Sequence, residues 1–117
     1  MDALIKAFNN TCAGLDHALR TERAVRQEAI VLLIAIPLAF LLGAGIWQRV
    51  AMIGSILVVM AVELLNTCAE KLCDHVTPER HPQIKIVKDM GSAAVFCAIV
   101  MSAMIWLAAI AERLQLF

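Results

Sequence analysis

Four polar side chains recur along the segment 62–74, which follows directly on an apolar run: Glu63, Asn66, Glu70 and Asp74. Because successive residues of an α-helix are rotated by about 100°, these side chains fall within an arc of about 80°. One stripe of the predicted helix is therefore acidic, while its other faces carry leucine, valine and cysteine. Carboxylates grouped in this way can transfer protons or bind a hard cation such as Mg²⁺.

Glu63 is the member of this stripe that most needs an explanation. Helix geometry places it about 12 Å from the helix end near Lys71 and about 20 Å from the end near Val50. Burying a carboxylate at that depth in hydrocarbon costs roughly 2–4 kcal/mol, and ionisable residues inside membranes usually serve a function. We therefore predict a functional role for Glu63, whereas Asp74 lies near enough to the helix end to be in water.

The surrounding sequence predicts an all-α integral membrane protein, with a single membrane domain over 1–117. The chain has 117 residues, of which 62% are apolar, and its mean hydropathy is +0.81. We predict transmembrane spans at 29–47, 50–72 and 90–111, each close to the roughly 20 residues that a helix needs to cross a bilayer. An apolar stripe at helical spacing predicts an amphipathic helix over about 2–27, which lies in the membrane surface or, alternatively, packs only on its own bundle.

The distribution of lysine and arginine predicts the topology. Basic residues are concentrated before the first span and between the second and third spans, and are nearly absent from the other two connections. This asymmetry predicts that the N-terminus and the 71–89 loop face the cytoplasm and that the C-terminus lies outside. Charges interrupt the first 28 residues, so we do not expect a cleaved signal peptide there.

Several functions are disfavoured by composition and spacing. The ten basic and ten acidic residues cancel, so no overall field favours nucleic acid as a partner. The cysteines and histidines lack the spacing of zinc ligands or of a redox pair. No phosphate-binding loop of the soluble nucleotide-binding folds is present. A small protein that conducts protons or cations remains an open alternative, since it would also use carboxylates within the membrane.

The predicted cytoplasmic face also collects cations and further carboxylates. Lys88 and Asp89 precede the third span, and the preceding loop contributes Arg80, His81 and Lys85. Near the first span, Glu22 and Glu28 can reach the same face. Since Mg²⁺ commonly binds one or two carboxylates together with substrate phosphates, this combination favours phosphoryl transfer.

Three motifs resemble the prokaryotic diacylglycerol kinases, which are small trimeric membrane enzymes. The motifs are Arg-Gln-Glu at 26–28, Glu-Leu-Leu-Asn-Thr-Cys-Ala-Glu at 63–70 with Asp74, and Lys-Asp-Met-Gly-Ser-Ala-Ala-Val at 88–95. The resemblance extends from the surface helix to the third span. It implies a homotrimeric helical bundle that uses MgATP to phosphorylate diacylglycerol, giving phosphatidic acid, in the bacterial inner membrane.

The resemblance also implies roles for individual residues. Glu63 would be the general base, with Asn66 orienting the catalytic group, while Glu22 and Glu70 would hold the metal that bridges the ATP phosphates. The lipid substrate would contact Glu28, Glu63 and Ser92. The ATP-binding residues would be Asn10, Glu22, Glu70, Glu79, Arg80, His81, Lys88 and Asp89.

Two departures and one close alternative accompany the resemblance. Ala3 and Asn10 stand where family members can carry a basic residue and an aromatic residue near the nucleotide, so these two contacts would differ. Undecaprenol kinase, a branch of the same family, shares the acidic stripe and the Lys-Asp pair. The sequence Gly-Ser-Ala-Ala at 91–94 favours diacylglycerol over undecaprenol as the substrate.

Overall fold

The computed structural model describes residues 1–77 and 79–116. These residues form four helices and no strand: α1 (Asp2–Thr21), α2 (Arg23–Leu42), α3 (Gly45–Val76) and α4 (Pro82–Arg113). Helices α2, α3 and α4 are each long and apolar enough to cross a membrane. The prediction of an all-α membrane fold with three spanning helices is confirmed, and the chain is a multi-pass membrane protein.

A sharp corner at Glu22 separates α1 from α2. Glu22 has extended backbone angles, so the helix predicted over 2–27 ends at Thr21, and residues 23–27 form the first turn of α2. Arg26 stabilises the corner because its guanidinium donates to the carbonyls of Leu19 and Arg20, at 3.2 and 2.9 Å. These are carbonyls that the end of α1 would otherwise leave unpaired. Val25 is fully buried in this corner.

The apolar face of α1 has no partner within the described chain. Its large apolar residues Leu4, Phe8 and Leu15 are all exposed. The helix contacts the rest of the bundle mainly through α2. An apolar stripe that is left open on a helix beside three membrane-spanning helices fits a position in the membrane surface.

The turn between α2 and α3 comes earlier than the charge-free window 29–47 suggested. Helix α2 ends at Leu42, and α3 begins at Gly45, whose φ of +76° is readily adopted only by glycine. Arg49 closes the turn by donating from Nη2 to the carbonyl oxygen of Phe40 at 3.2 Å. Trp47 consequently belongs to the first turn of α3, where it is exposed.

Helices α3 and α4 pack along their length through small and polar side chains. The hydroxyls of Ser55 and Ser102 are 2.8 Å apart and share a hydrogen bond. The indole Nε1 of Trp106 donates to the carbonyl oxygen of Met52 at 3.0 Å. Met52 is fully buried and forms a core cluster with Ala39 of α2 and Ala109 of α4. This arrangement is typical of helix packing in lipid, where close approach and interhelical hydrogen bonds replace the hydrophobic effect.

The buried position of Met52 predicts that Met52→Ala destabilises the bundle. The side chain is 0% exposed, so its removal leaves a cavity between three helices. We expect the free energy of unfolding to fall by about 2 kcal/mol. This value is at the lower end of the range for replacing a buried methionine by alanine, because the unfolded helices stay in an apolar medium. Unfolding with sodium dodecyl sulfate in mixed micelles measures this change. Met104→Ala is the matched control, since Met104 is 66% exposed; equal losses for the two variants would contradict the packing described here.

Candidate functional site

The acidic stripe of α3 runs from the bundle interior towards water. Glu63 is half-buried, Asn66 is buried, Glu70 is half-buried and Asp74 is exposed. The amide Nδ2 of Asn66 donates to Oε1 of Glu70 at 3.3 Å. The structure therefore joins two of the predicted site residues directly and leaves Glu63 one turn deeper on the same helix.

Asn66 faces α4 as well as Glu70. Its Oδ1 is buried and has no hydrogen-bond partner within the described residues. The residue opposite this oxygen is Gly91 of α4, and a Cβ atom at position 91 would collide with Oδ1. The absence of a side chain at Gly91 is what allows α4 to lie this close to Asn66.

Glu22 is held against the same end of α3. Its Oε1 lies 2.9 Å from Nζ of Lys71, the neighbour of Glu70. The hydrogen bond from Lys71 keeps the pKa of Glu22 below its ordinary value, so this carboxylate is ionised at neutral pH. The corner between α1 and α2 thereby brings a second carboxylate to the part of α3 that carries Glu70.

A cavity of about 670 Å³ lies between the end of α3 and the start of α4. Five of the predicted ATP-binding residues line it: Glu79, Arg80, His81, Lys88 and Asp89. Asp74 and Lys85 line it too, and both are engaged in ion pairs there. Nζ of Lys88 lies 2.8 Å from Oδ1 of Asp74, and Nζ of Lys85 lies 2.6 Å from Oδ2 of Asp89. The cavity thus contains several cationic groups, of which these two lysines are balanced by carboxylates of the same chain.

The wall of this cavity is more ordered than the sequence indicated. The sequence predicted a loop over 71–89, but α3 continues to Val76 and α4 begins at Pro82. Proline suits the first position of a helix, where no backbone N–H needs a partner. His81 caps the helix by accepting a hydrogen bond at Nδ1 from the backbone N–H of Gln83, at 3.1 Å. His81 therefore combines a structural role with its position on the cavity wall.

A second, apolar cavity of about 470 Å³ opens between α2, α3 and α4. Glu28 is the acidic residue on its wall, and the other lining residues include Val31, Val59 and Ile99. The Oε2 atom of Glu28 is buried without a hydrogen-bond partner among the residues described. This carboxylate lies beside a cavity whose walls would suit hydrocarbon chains.

Half of the predicted site residues line neither cavity: Asn10, Glu22, Glu63, Asn66, Glu70 and Ser92. Asn10 is exposed on α1, and Ser92 is exposed on α4. Neither lines either cavity, and neither is joined by a side-chain hydrogen bond to another predicted site residue within the described ranges. The single chain therefore brings half of the predicted site residues to the two cavities.

The described residues contain no group of three or more His, Cys, Asp or Glu side chains that could hold a metal ion by themselves. Of the two predicted metal ligands, Glu70 lies on α3 and Glu22 contacts its neighbour Lys71. Two hard oxygen donors suit Mg²⁺, which commonly completes its coordination with water and with substrate phosphates.

Sequence reasoning missed four features of this site. It did not predict that Glu22 pairs with Lys71, or that Asp74 pairs with Lys88, because both contacts depend on how separate elements pack. It used Gly91 only to compare the two lipid substrates, although a glycine inside an apolar helix often marks a close approach. The Lys85–Asp89 pair could have been found, since the two residues are four apart on one helix.

Comparison with known proteins identifies the family of this chain. The sequence profile described as prokaryotic diacylglycerol kinase matches residues 9–110. The protein called diacylglycerol kinase in Haemophilus influenzae is 40% identical over 103 residues, which cover 88% of this chain and 87% of that protein. Those of Pseudomonas aeruginosa and Escherichia coli are 41% and 39% identical, each over 88% of this chain and 84% of the relative. The motifs, the helices and these matches together show that the chain belongs to the prokaryotic diacylglycerol kinase family.

Proposed function

We propose that this protein transfers the γ-phosphate of MgATP to the primary hydroxyl of diacylglycerol, giving phosphatidic acid. The observation that carries the proposal is the arrangement of two different cavities around α3 and α4. One is lined by charged side chains, both basic and acidic, and the other is apolar and has a carboxylate on its wall. A water-soluble polyphosphate and a lipid can each find a complementary environment, with the acidic stripe of α3 close by.

In the proposed reaction Glu63 acts as the general base. The lipid hydroxyl oxygen forms a bond to the γ-phosphorus, the bond to the bridging oxygen of ADP breaks, and the hydroxyl proton passes to the Glu63 carboxylate. Its half-buried position on α3 supports this role because a lipid hydroxyl can approach it from the hydrocarbon side. Asn66 orients the adjoining Glu70 through their 3.3 Å hydrogen bond.

Glu70 and Glu22 are the residues that would hold Mg²⁺. Both supply hard oxygen atoms, and the lowered pKa of Glu22 keeps this carboxylate charged at neutral pH. When bound with ATP, the metal would neutralise the phosphate charge that opposes attack by the hydroxyl oxygen. Lys88 and the other cations of the polar cavity would position the phosphates.

Trimerisation would complete the site. In one chain Glu22 is engaged by Lys71, while Asn10 and Ser92 lie outside the cavities. Neighbouring protomers could supply these missing contacts, and the many exposed apolar residues of the three spanning helices leave ample surface for helix packing. We place the homotrimer in the bacterial inner membrane, with the polar cavity facing the cytoplasm and the C-terminus outside. This orientation puts the polar cavity on the side where cytoplasmic ATP can reach it.

A direct assay tests the reaction and its alternatives. The purified protein in mixed micelles is given γ-labelled ATP with diacylglycerol or with undecaprenol, in parallel, and proteoliposomes are tested for proton and cation flux. We expect labelled phosphatidic acid, little labelled undecaprenyl phosphate and no flux. Preferential labelling of undecaprenol would assign the protein to the other branch of the family, and flux without phosphorylation would favour a conducting protein.

The proposed base predicts the behaviour of Glu63→Gln. The amide keeps the shape of the side chain but cannot take the hydroxyl proton, so kcat should fall by roughly 10²-fold or more. The KM for ATP should change little, because the substitution lies away from the cation-lined cavity. Steady-state kinetics in mixed micelles measure both constants. Glu112→Gln near the end of α4 is the control and should retain full activity; a Glu63→Gln enzyme as active as this control would rule Glu63 out as the base.

The proposed phosphate contact predicts the behaviour of Lys88→Met. Methionine keeps much of the length of the side chain and removes its charge. A charge-assisted hydrogen bond is worth about 1.5–3 kcal/mol, so the KM for ATP should rise about tenfold or more. The KM for the lipid should stay the same. In the control Lys6→Met on α1, neither the KM for ATP nor the KM for the lipid should change. A rise in the lipid KM alone would contradict the assignment of Lys88 to the nucleotide.

A further inference from the structure

The geometry points to Gly91 as a positioning residue that fixes the side-chain amide of Asn66 and, through it, orients the carboxylate of Glu70. This inference rests on the proposed function, in which Glu70 holds the metal. Gly91 contributes no polar side chain and belongs to α4, whereas Asn66 and Glu70 belong to α3. Its effect on the site comes from the space it leaves open.

The orientation of the Asn66 amide follows from charge. A carboxylate accepts hydrogen bonds and does not donate them, so the amide nitrogen must face Oε1 of Glu70, which lies 3.3 Å away. The amide oxygen then faces α4, where it is buried and has no partner among the described residues. Asn66 is only 9% exposed, so neighbouring atoms leave the amide little space to turn.

Gly91 determines where that oxygen can lie. A Cβ at position 91 would overlap Oδ1 of Asn66. In glycine a hydrogen atom replaces this Cβ, so the Cα–H bond points towards the oxygen. Cα–H···O contacts of this kind recur where helices pack closely. Gly91 therefore both makes room for the amide oxygen and gives it a weak donor.

Adding one methyl group at position 91 should disturb the site while sparing the fold. The new Cβ would lie 3.1 Å from Cγ of Asn66 but 3.9 Å from its Cβ, which is an ordinary contact distance. The helices can stay in place, because the nearest obstacle is the end of a side chain rather than backbone. The amide must rotate, and its rotation takes the nitrogen away from Glu70.

Gly54 provides a matched control. It lies inside α3, and a Cβ added there would meet no atom within 4 Å. Gly54→Ala therefore makes the same chemical change in a spanning helix without touching Asn66. Any effect that the two substitutions share comes from replacing a helical glycine, and any difference comes from the contact at Asn66.

The first experiment observes the amide itself. The side-chain NH₂ resonances of Asn66 are assigned by NMR in detergent micelles from their loss in Asn66→Ala. We expect Gly91→Ala to shift them clearly and Gly54→Ala to leave them in place, with both proteins as helical as the wild type by circular dichroism. Unshifted Asn66 resonances in Gly91→Ala would overturn the proposal. So would an unfolded Gly91→Ala protein, because the backbone rather than the amide would then have been the obstacle.

The second experiment asks whether Gly91 acts through Asn66. In the phosphorylation assay, Gly91→Ala should lower kcat by about 10²-fold, as small displacements of catalytic groups do, and raise the Mg²⁺ concentration for half-maximal activity. The KM for the lipid should not change. When it is combined with Asn66→Ala, Gly91→Ala should cause no further loss of kcat, because the effects of substituting two residues in contact are not additive.

The outcomes separate this inference from the proposed function. Losses that multiply in the double variant, or a Gly91→Ala enzyme with normal kcat and Mg²⁺ dependence, would overturn the role of Gly91 while wild-type kinase activity stands. A wild-type protein that phosphorylates no lipid would overturn the proposed function, and with it the role in catalysis. The NMR experiment would still report whether Gly91 sets the position of the Asn66 amide.

Discussion

The unbroken backbone hydrogen bonding of α3 is the constraint on which the site depends. In lipid, a backbone N–H or carbonyl without a partner costs several kcal/mol, so a spanning segment stays helical through the hydrocarbon. The 32 residues from Gly45 to Val76 make a rod of about 48 Å, longer than the roughly 30 Å of hydrocarbon. Glu63 and Glu70 are therefore held about 10 Å apart along one rigid axis, one deeper in the bundle and one nearer its polar end.

Contacts between α3 and α4 hold the fold and shape the site by the same means. Lipid surrounds the helices with an apolar medium, so small residues and interhelical hydrogen bonds stabilise the packing. The Ser55–Ser102 and Trp106–Met52 hydrogen bonds do this about one helical turn apart, away from the acidic stripe. The close approach of Gly91 to Asn66 does it near the acidic stripe. Beside the acidic stripe, the packing of α3 against α4 therefore also determines which way the side chain of Asn66 points.

Periodicity and charge predicted most of the helices but not the points where they end. A charge-free window shows that a segment can lie in lipid, and it does not show that Gly43 to Gly45 turn the chain before Trp47. The corner at Glu22 depends on Arg26 reaching the carbonyls of Leu19 and Arg20, a contact that hydrophobic periodicity does not contain. The acidic stripe could be predicted because its residues share one helix. The Glu22–Lys71 and Asp74–Lys88 pairs could not, since they depend on how separate helices pack.

These ion pairs bear on how a nucleotide would enter the polar cavity. Lys71, Lys85 and Lys88 each lie within 3 Å of a carboxylate of the same chain, and all three pairs are at least partly exposed. Such pairs contribute little stability, because water and salt screen them. On the proposed function, the ATP phosphates would exchange with the carboxylates of Asp74 and Asp89 at little cost. The released carboxylates would remain beside the bound nucleotide, where they would favour a polyphosphate whose charge is already offset by a metal ion over one that is not.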